Sequence, residues 1–120
     1  MASDPTEIAV HLPLPTATFH ILLALADGDR HGYGIIQDVD ARTGGALRLS
    51  PGTLYRTIQR LLEEGWITEP KKPAAPTDDP RRRYYRITPL GTAVARAEAR
   101  RLTQLVRLAR GAGLLAPEAP

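Results

Sequence analysis

Apolar residues occupy nearly every side of the first helix that the sequence predicts. It starts at Thr16, which can cap it, and continues through ATFHILLALADG to about Ala26. A helix that is apolar all round indicates burial, in part by a second chain. The preceding residues 1–15 begin with a polar stretch and contain Pro13 and Pro15, so they predict a flexible N-terminal arm.

The second predicted helix is apolar on one side only. It spans YGIIQDVDARTGG, in which Ile35, Ile36 and Val39 share a face. The paired glycines Gly44 and Gly45 end it.

A third helix is predicted in SPGTLYRTIQRLLEEGWI, where it separates an apolar stripe from a polar face. Ser50 is a suitable N-cap, Pro51 fits the first helical position, and Gly65 ends the helix. The stripe and the opposite face follow the helical period: Leu54, Ile58, Leu61 and Leu62 on one side, and Thr53, Arg56, Gln59, Arg60 and Glu63 on the other.

Two short strands and a long helix complete the pattern. WITEP and RRYYRIT read as strands, and the proline-rich segment KKPAAPTDDPR between them reads as a loop, so together they predict a β-hairpin. Thr88 can cap the last helix, which has Pro89 at its first position and continues to about Arg110. Residues 113–120 are predicted to be a disordered tail.

The order of these elements predicts a winged helix-turn-helix. The fold class is mainly α with a small β-hairpin: residues 16–88 form the winged-helix domain and residues 89–112 a C-terminal dimerisation helix. The apolar stripe would seat the third helix on the domain. Its other face could then enter a DNA major groove, which is about 12 Å wide and admits one α-helix.

The charge is distributed unevenly along the 120 residues. Residues 1–47 carry two arginines against six acids, residues 48–86 nine basic residues against five acids, and residues 87–120 five arginines against two acids. A basic region of this kind suits a polyanion, although charge alone is equally compatible with solvated faces. The chain has no cysteine and no apolar run long enough to cross a membrane, so we expect a cytoplasmic protein.

Catalytic and metal-binding patterns do not emerge from the sequence. His11, His20 and His31 have neither metal-ligand spacing nor nearby carboxylates, and we expect His31 to satisfy backbone groups at a turn. We therefore predict no enzyme activity, no cofactor and no metal. The alternative to DNA binding is a winged helix that serves as a protein-interaction module.

Several motifs together resemble the PadR family of bacterial transcriptional regulators. They are HGYG, GTLY, RLLEEGW and YYRITPLG, within a resemblance that covers roughly residues 16–108. The resemblance implies a homodimeric repressor that binds an operator with two half-sites and is released by a small aromatic effector. The DNA-binding candidates lie on the third helix and its cap, on the turn at the second helix, and on the predicted β-hairpin, which is the wing of the fold. They are Tyr33, Ser50, Gly52, Thr53, Tyr55, Arg56, Gln59, Arg60, Lys71, Lys72, Arg82 and Arg83.

The dimer and the effector site involve the remaining candidates. The last helix has a broad apolar sector, and it contains no aromatic residue, which leaves Phe19 and Trp66 as effector candidates. Trp66 could equally belong to the core, and Tyr55 could be either core or a phosphate contact. Glu98 and Arg101 could pair across the dimer or within one helix. The dimerisation candidates are Phe19, Leu22, Val94, Ala97, Arg101, Leu102, Leu105 and Leu108.

Overall fold

The computed structural model describes residues 4–71 and 81–118, and within these ranges it confirms the predicted order of elements. The helices and strands are α1 (Pro5–Ala9), α2 (Thr16–Leu25), β1 (Arg30–His31), α3 (Gly32–Arg42), α4 (Pro51–Glu64), β2 (Ile67–Thr68), β3 (Tyr84–Ile87) and α5 (Pro89–Gly111).

The ends of α4 follow from its sequence as predicted. The Thr53 N–H donates to Ser50 Oγ, and Pro51 occupies the first turn. Gly65 ends the helix in the left-handed region at φ 77°, where a side chain would be strained. By contrast, the predicted cap at Thr16 is wrong, because α2 begins after Pro15 and has no side-chain cap.

A three-stranded antiparallel sheet packs beside the helices in the order β1-β3-β2. β2 and β3 form the predicted hairpin, with Ile67 opposite Ile87. β1 pairs with the other edge of β3, so that His31 lies opposite Tyr84. The sequence did not predict β1, because a two-residue strand has no detectable periodicity.

The apolar stripe of α4 is buried in the centre of the domain. Leu54, Ile58 and Leu61 are at most 2% exposed and belong to one core cluster with residues of α2, α3 and α5. Trp66 is also in this cluster, at 6% exposed, which favours the core role over a stacking role. Burial of side chains of this size contributes about 1.5–3 kcal/mol each, so the stripe fixes how α4 sits on the domain.

Residues 4–15 differ from the flexible arm that the sequence predicted. They form the short helix α1, capped by Asp4, and they bury Ile8 and Leu14 at the end of the core. The prolines in this segment prevent a long helix but do not prevent apolar side chains from packing.

The first half of α5 packs against the junction of α4 and β2. Thr88 caps the helix by accepting from the Gly91 N–H, and its own hydroxyl donates to the Gly65 carbonyl. A Cβ at Gly91 would overlap the Trp66 carbonyl oxygen, so this close approach requires glycine. Beyond Arg101 the large apolar side chains of α5 are exposed.

Glu98 is a buried carboxylate that joins α5 to the N-terminal segment. It is 2% exposed, accepts from the Leu14 N–H at 2.8 Å, and pairs with Arg101 one turn along α5. Of the two predicted alternatives, the structure therefore shows the pair within one helix. The hydrogen bond from Arg101, with that from Leu14, outweighs burial and lowers the pKa of Glu98 below its usual value.

We predict that Glu98 stabilises the fold in a pH-dependent way. Glu98→Ala should lower the free energy of unfolding by about 1–3 kcal/mol, because the Leu14 N–H loses its acceptor. Because the pKa of Glu98 in the folded protein is lowered, its negative charge stabilises the fold fully above the usual carboxyl range. This stabilisation is lost as the pH falls through the pKa of the folded state.

Urea unfolding from pH 7 to pH 3 measures both effects. Glu98→Gln should be less stable than the wild type at pH 7, and the difference should narrow as the pH falls. Glu64→Gln, at an exposed carboxylate, is the matched control. An equal pH dependence in wild type and Glu98→Gln would contradict the assignment.

Candidate nucleic-acid interface

The face of α4 opposite its buried stripe is fully accessible. Arg56 and Gln59 lie near its centre, and Gly52 lies at its N-terminal end. The hydrogen bonds of Arg56 and Gln59 within the helix are long: Arg56 Nη2 is 3.5 Å from Thr53 Oγ1, and Gln59 Nε2 is 3.3 Å from Glu63 Oε1. Hydrogen bonds of this length are weak, so both side chains can reorient towards another partner.

One flank of α4 faces the turn before α3. Tyr55 is 51% exposed, and its hydroxyl lies where a Cβ of residue 32 would be, so Gly32 makes room for it. Tyr33, in the first turn of α3, is 60% exposed. Of the two readings of Tyr55, the structure thus favours a surface role over a core role.

A cleft of about 300 Å³ separates this flank from the base of the wing. It is lined by His31, Gly32, Tyr33, Tyr55, Arg82, Arg83 and Tyr85. The structure therefore brings together four of the predicted DNA-binding residues, two tyrosines and two arginines. It adds His31, which the sequence suggested only as a turn residue.

The other flank of α4 faces the N-terminal segment. Arg60 and Glu64 line a smaller cavity of about 80 Å³ together with His11, Leu14, Pro15, Thr18, Leu61 and Trp66. The rings of His11 and Trp66 meet edge to face at 5.0 Å. Arg60, predicted with the base-facing residues, thus lies to the side of that face, where it can also contact a molecule in the cavity.

The basic residues of the wing have different neighbours. Lys71, Arg82 and Arg83 are exposed, whereas Lys72 lies outside the described residues. Arg83 Nε donates to Glu69 Oε1 on the opposite strand end, and this bond raises the pKa of Arg83 above its usual value. The sequence analysis missed Glu69, which could have been found only from the register of the hairpin.

The four aspartates between residues 27 and 40 pair with arginines. Asp38 pairs with Arg30 and Arg42, and Asp29 accepts a bidentate contact from Arg86 at 2.9 and 2.8 Å. Within residues 4–71 and 81–118, by contrast, Arg56 has no carboxylate partner. The positive charge on the exposed face of α4 is therefore not neutralised by these acids.

The helices α2, α3 and α4, of which α4 is accessible, are followed by the β2–β3 hairpin with its basic residues. This arrangement defines the winged-helix class of DNA-binding domain. Solved structures share this fold. A transcriptional regulator from Clostridium thermocellum superposes with a TM-score of 0.66 at 24% identity, covering 92% of this chain and 97% of that chain. A PadR family transcription regulator from Clostridium difficile gives 0.65 at 19% identity, covering 81% and 97%.

The sequence comparisons identify the family. The model of the PadR-like family of transcriptional regulators matches residues 21–97. Transcriptional regulator Rv3488 of Mycobacterium tuberculosis is 39% identical over 88 residues, which cover 73% of this chain and 77% of that protein. The chain belongs to the PadR-like family, as the motifs indicated, and is a DNA-binding transcriptional regulator and not an enzyme.

In the part of the chain that the structure describes, none of the helices combines the length and the apolar character needed to cross a membrane.

We predict that Glu69 weakens binding of the wing to DNA. Glu69→Gln should raise affinity for duplexes of any sequence by about two- to fivefold, since Arg83 no longer has to leave an exposed ion pair. Fluorescence anisotropy with a labelled duplex measures the change. The same substitution in an Arg83→Ala background is the control, and a gain of equal size there would show that Arg83 is not involved.

Proposed function

We propose that this protein is a homodimeric repressor that reads an operator with two half-sites through α4. The observation that carries the proposal is the exposed face of α4, which presents Arg56 and Gln59 and contains no acid before Glu63. The acids Glu63 and Glu64 come only in the last turn, where a helix in the groove has moved away from the bases.

Each exposed group suits a particular part of DNA. Arg56 can form two hydrogen bonds to guanine O6 and N7, and Gln59 can do the same with adenine N6 and N7. The tyrosine hydroxyls of residues 33 and 55, with Lys71, Arg82 and Arg83 at the wing, suit phosphate oxygens. Ser50, Gly52 and Thr53 form the start of α4 and would lie close to the DNA backbone.

The second half of α5 supports a dimer. Four apolar side chains are exposed there: Leu102 at 37%, Leu105 at 48%, Val106 at 39% and Leu108 at 59%. A two-fold dimer would explain this apolar stripe. It would also place two copies of α4 about 34 Å apart, one turn of DNA, and so lengthen the sequence that is read.

Not all of the predicted dimerisation residues are available to a partner. Leu22 and Val94 are at most 1% exposed and are buried inside their own chain. Arg101 pairs with Glu98 of the same helix. The proposed contact therefore consists of the exposed stripe, with the half-buried Ala97 and Phe19 at its edge.

Release by a small aromatic effector is part of the proposal, with Phe19 and Trp66 as the candidate contacts. Trp66 is almost buried, and His11 covers its ring. A flat ligand would have to displace His11 and enlarge the adjoining cavity, where it would contact Arg60 of α4. Binding there would move α4, the helix proposed to read DNA. The protein would act in the cytoplasm, where bacterial DNA lies.

Leu105→Glu tests the proposed dimer and its link to specific binding. The substitution places an unpaired carboxylate in the apolar contact, so the variant should sediment as a monomer at micromolar concentration. It should also lose affinity for duplexes selected by the wild type far more than affinity for unrelated duplexes. Thr103→Glu adds the same charge beside the stripe and should remain dimeric.

A Leu105→Glu variant that stays dimeric and binds its selected duplexes fully would mean that the dimer forms elsewhere. A wild-type protein that binds no duplex at low salt would refute DNA binding and favour the protein-interaction module.

A further inference from the structure

Gly32, the first residue of α3, is required for reasons of space and not of backbone conformation. Its φ is not positive, so the backbone at this position tolerates an L side chain. The residue is buried, and the three atoms nearest to an added Cβ all belong to the side chain of Tyr55. The hydroxyl oxygen and Cζ, the latter at 2.9 Å, are too close for a real Cβ contact. The Tyr55 side chain is therefore what a larger residue at position 32 would meet first.

The backbone at Gly32 is held in place by its neighbours. His31 pairs with Tyr84 across the β1–β3 ladder, and its Nδ1 accepts from the Gly34 N–H at 3.0 Å. These contacts fix the first turn of α3 on the sheet. An overlap at residue 32 would therefore be relieved by movement of the Tyr55 ring and not by movement of the backbone.

The Tyr55 ring has room to move, because only its attachment to α4 is fixed. The preceding residue, Leu54, is fully buried in the apolar stripe and sets the position of the Tyr55 Cα. The ring itself is half-exposed and borders the cleft of about 300 Å³ that Tyr33 also lines. It can turn about its side-chain bonds, so the bare surface of Gly32 is the wall against which it rests.

We infer that Gly32 is a positioning residue for DNA binding, which holds the Tyr55 hydroxyl against the first turn of α3. The inference rests on the proposed function, in which this hydroxyl contacts a phosphate of the DNA backbone. Gly32 acts through Tyr55, since its missing side chain leaves the space that the ring occupies. A phosphate contact carries no sequence information, so displacement of the hydroxyl weakens binding to selected and unrelated duplexes alike.

Thermal unfolding of Gly32→Ala, Tyr55→Ala and the double variant tests the steric contact. Without the Tyr55 ring, Gly32→Ala gains the usual advantage of alanine over glycine, so it should raise the melting temperature by about 1–4 °C. With the ring present this gain should be absent or reversed, because the ring has to leave its position. A gain of equal size in both backgrounds would overturn the inference. If Gly32→Ala alone does not fold, recovery of folding in the double variant supports the contact, and no recovery overturns it.

DNA affinity separates positioning from packing alone. Tyr55→Phe loses the hydroxyl and should bind duplexes about tenfold more weakly, as for the loss of a hydrogen bond to a charged group. Gly32→Ala keeps the hydroxyl but displaces it, so it should weaken binding by about five- to tenfold. In the Tyr55→Ala background no hydroxyl remains, and Gly32→Ala should then leave the affinity unchanged.

Fluorescence anisotropy with labelled duplexes, well below the melting temperature of each variant, measures these changes. Gly111→Ala is the matched control, because a Cβ at this exposed helical glycine meets nothing within 4 Å, and it should bind like the wild type. If Tyr55→Phe weakens binding and the folded Gly32→Ala does not, the inference is wrong while the proposed phosphate contact stands. If Tyr55→Phe binds like the wild type, the proposed contact of Tyr55 fails, and the inference fails with it.

Discussion

The burial of the apolar stripe of α4 is the constraint on which the rest of the structure depends. Leu54, Ile58 and Leu61 allow only one rotational setting of this helix on the domain. Because the opposite face contains Arg56 and Gln59, the same packing that stabilises the fold also determines which side chains face outwards. In the proposed function, folding and DNA reading therefore share one helix, and a substitution in the stripe would disturb both.

The other elements hold this helix at its two ends and on its flanks. Thr88 ties the end of α4 to the start of α5, and Glu98 ties α5 to the N-terminal segment through Leu14. At the opposite end, His31 joins the turn before α3 to the base of the wing. A change in the N-terminal segment or in α5 can therefore reach α4 through hydrogen-bonded contacts, which is the physical basis for expecting an effector or a dimer partner to influence DNA binding.

Local sequence signals were sufficient for much of this structure. The caps at Ser50 and Thr88 and the end at Gly65 were predictable, because each depends on one residue and its immediate neighbours. β1 and the packing of residues 4–15 were not, since a two-residue strand and an irregular segment are fixed by distant partners. The same reason explains why Glu69 was missed, because its contact with Arg83 depends on the register of the β-sheet. The sequence predicted which residue types the proposed interface contains, but not which of them touch each other.

The central claim is that α4, set by its buried stripe, reads bases as part of a two-fold dimer. Selection of duplexes from a randomised pool, with wild type and Arg56→Ala in parallel, tests it most directly. The account predicts that the wild type selects an inverted repeat with half-site centres one turn apart, and that Arg56→Ala loses preference at one position in each half. Selection of no repeat, or of the same sequence by both proteins, would contradict it.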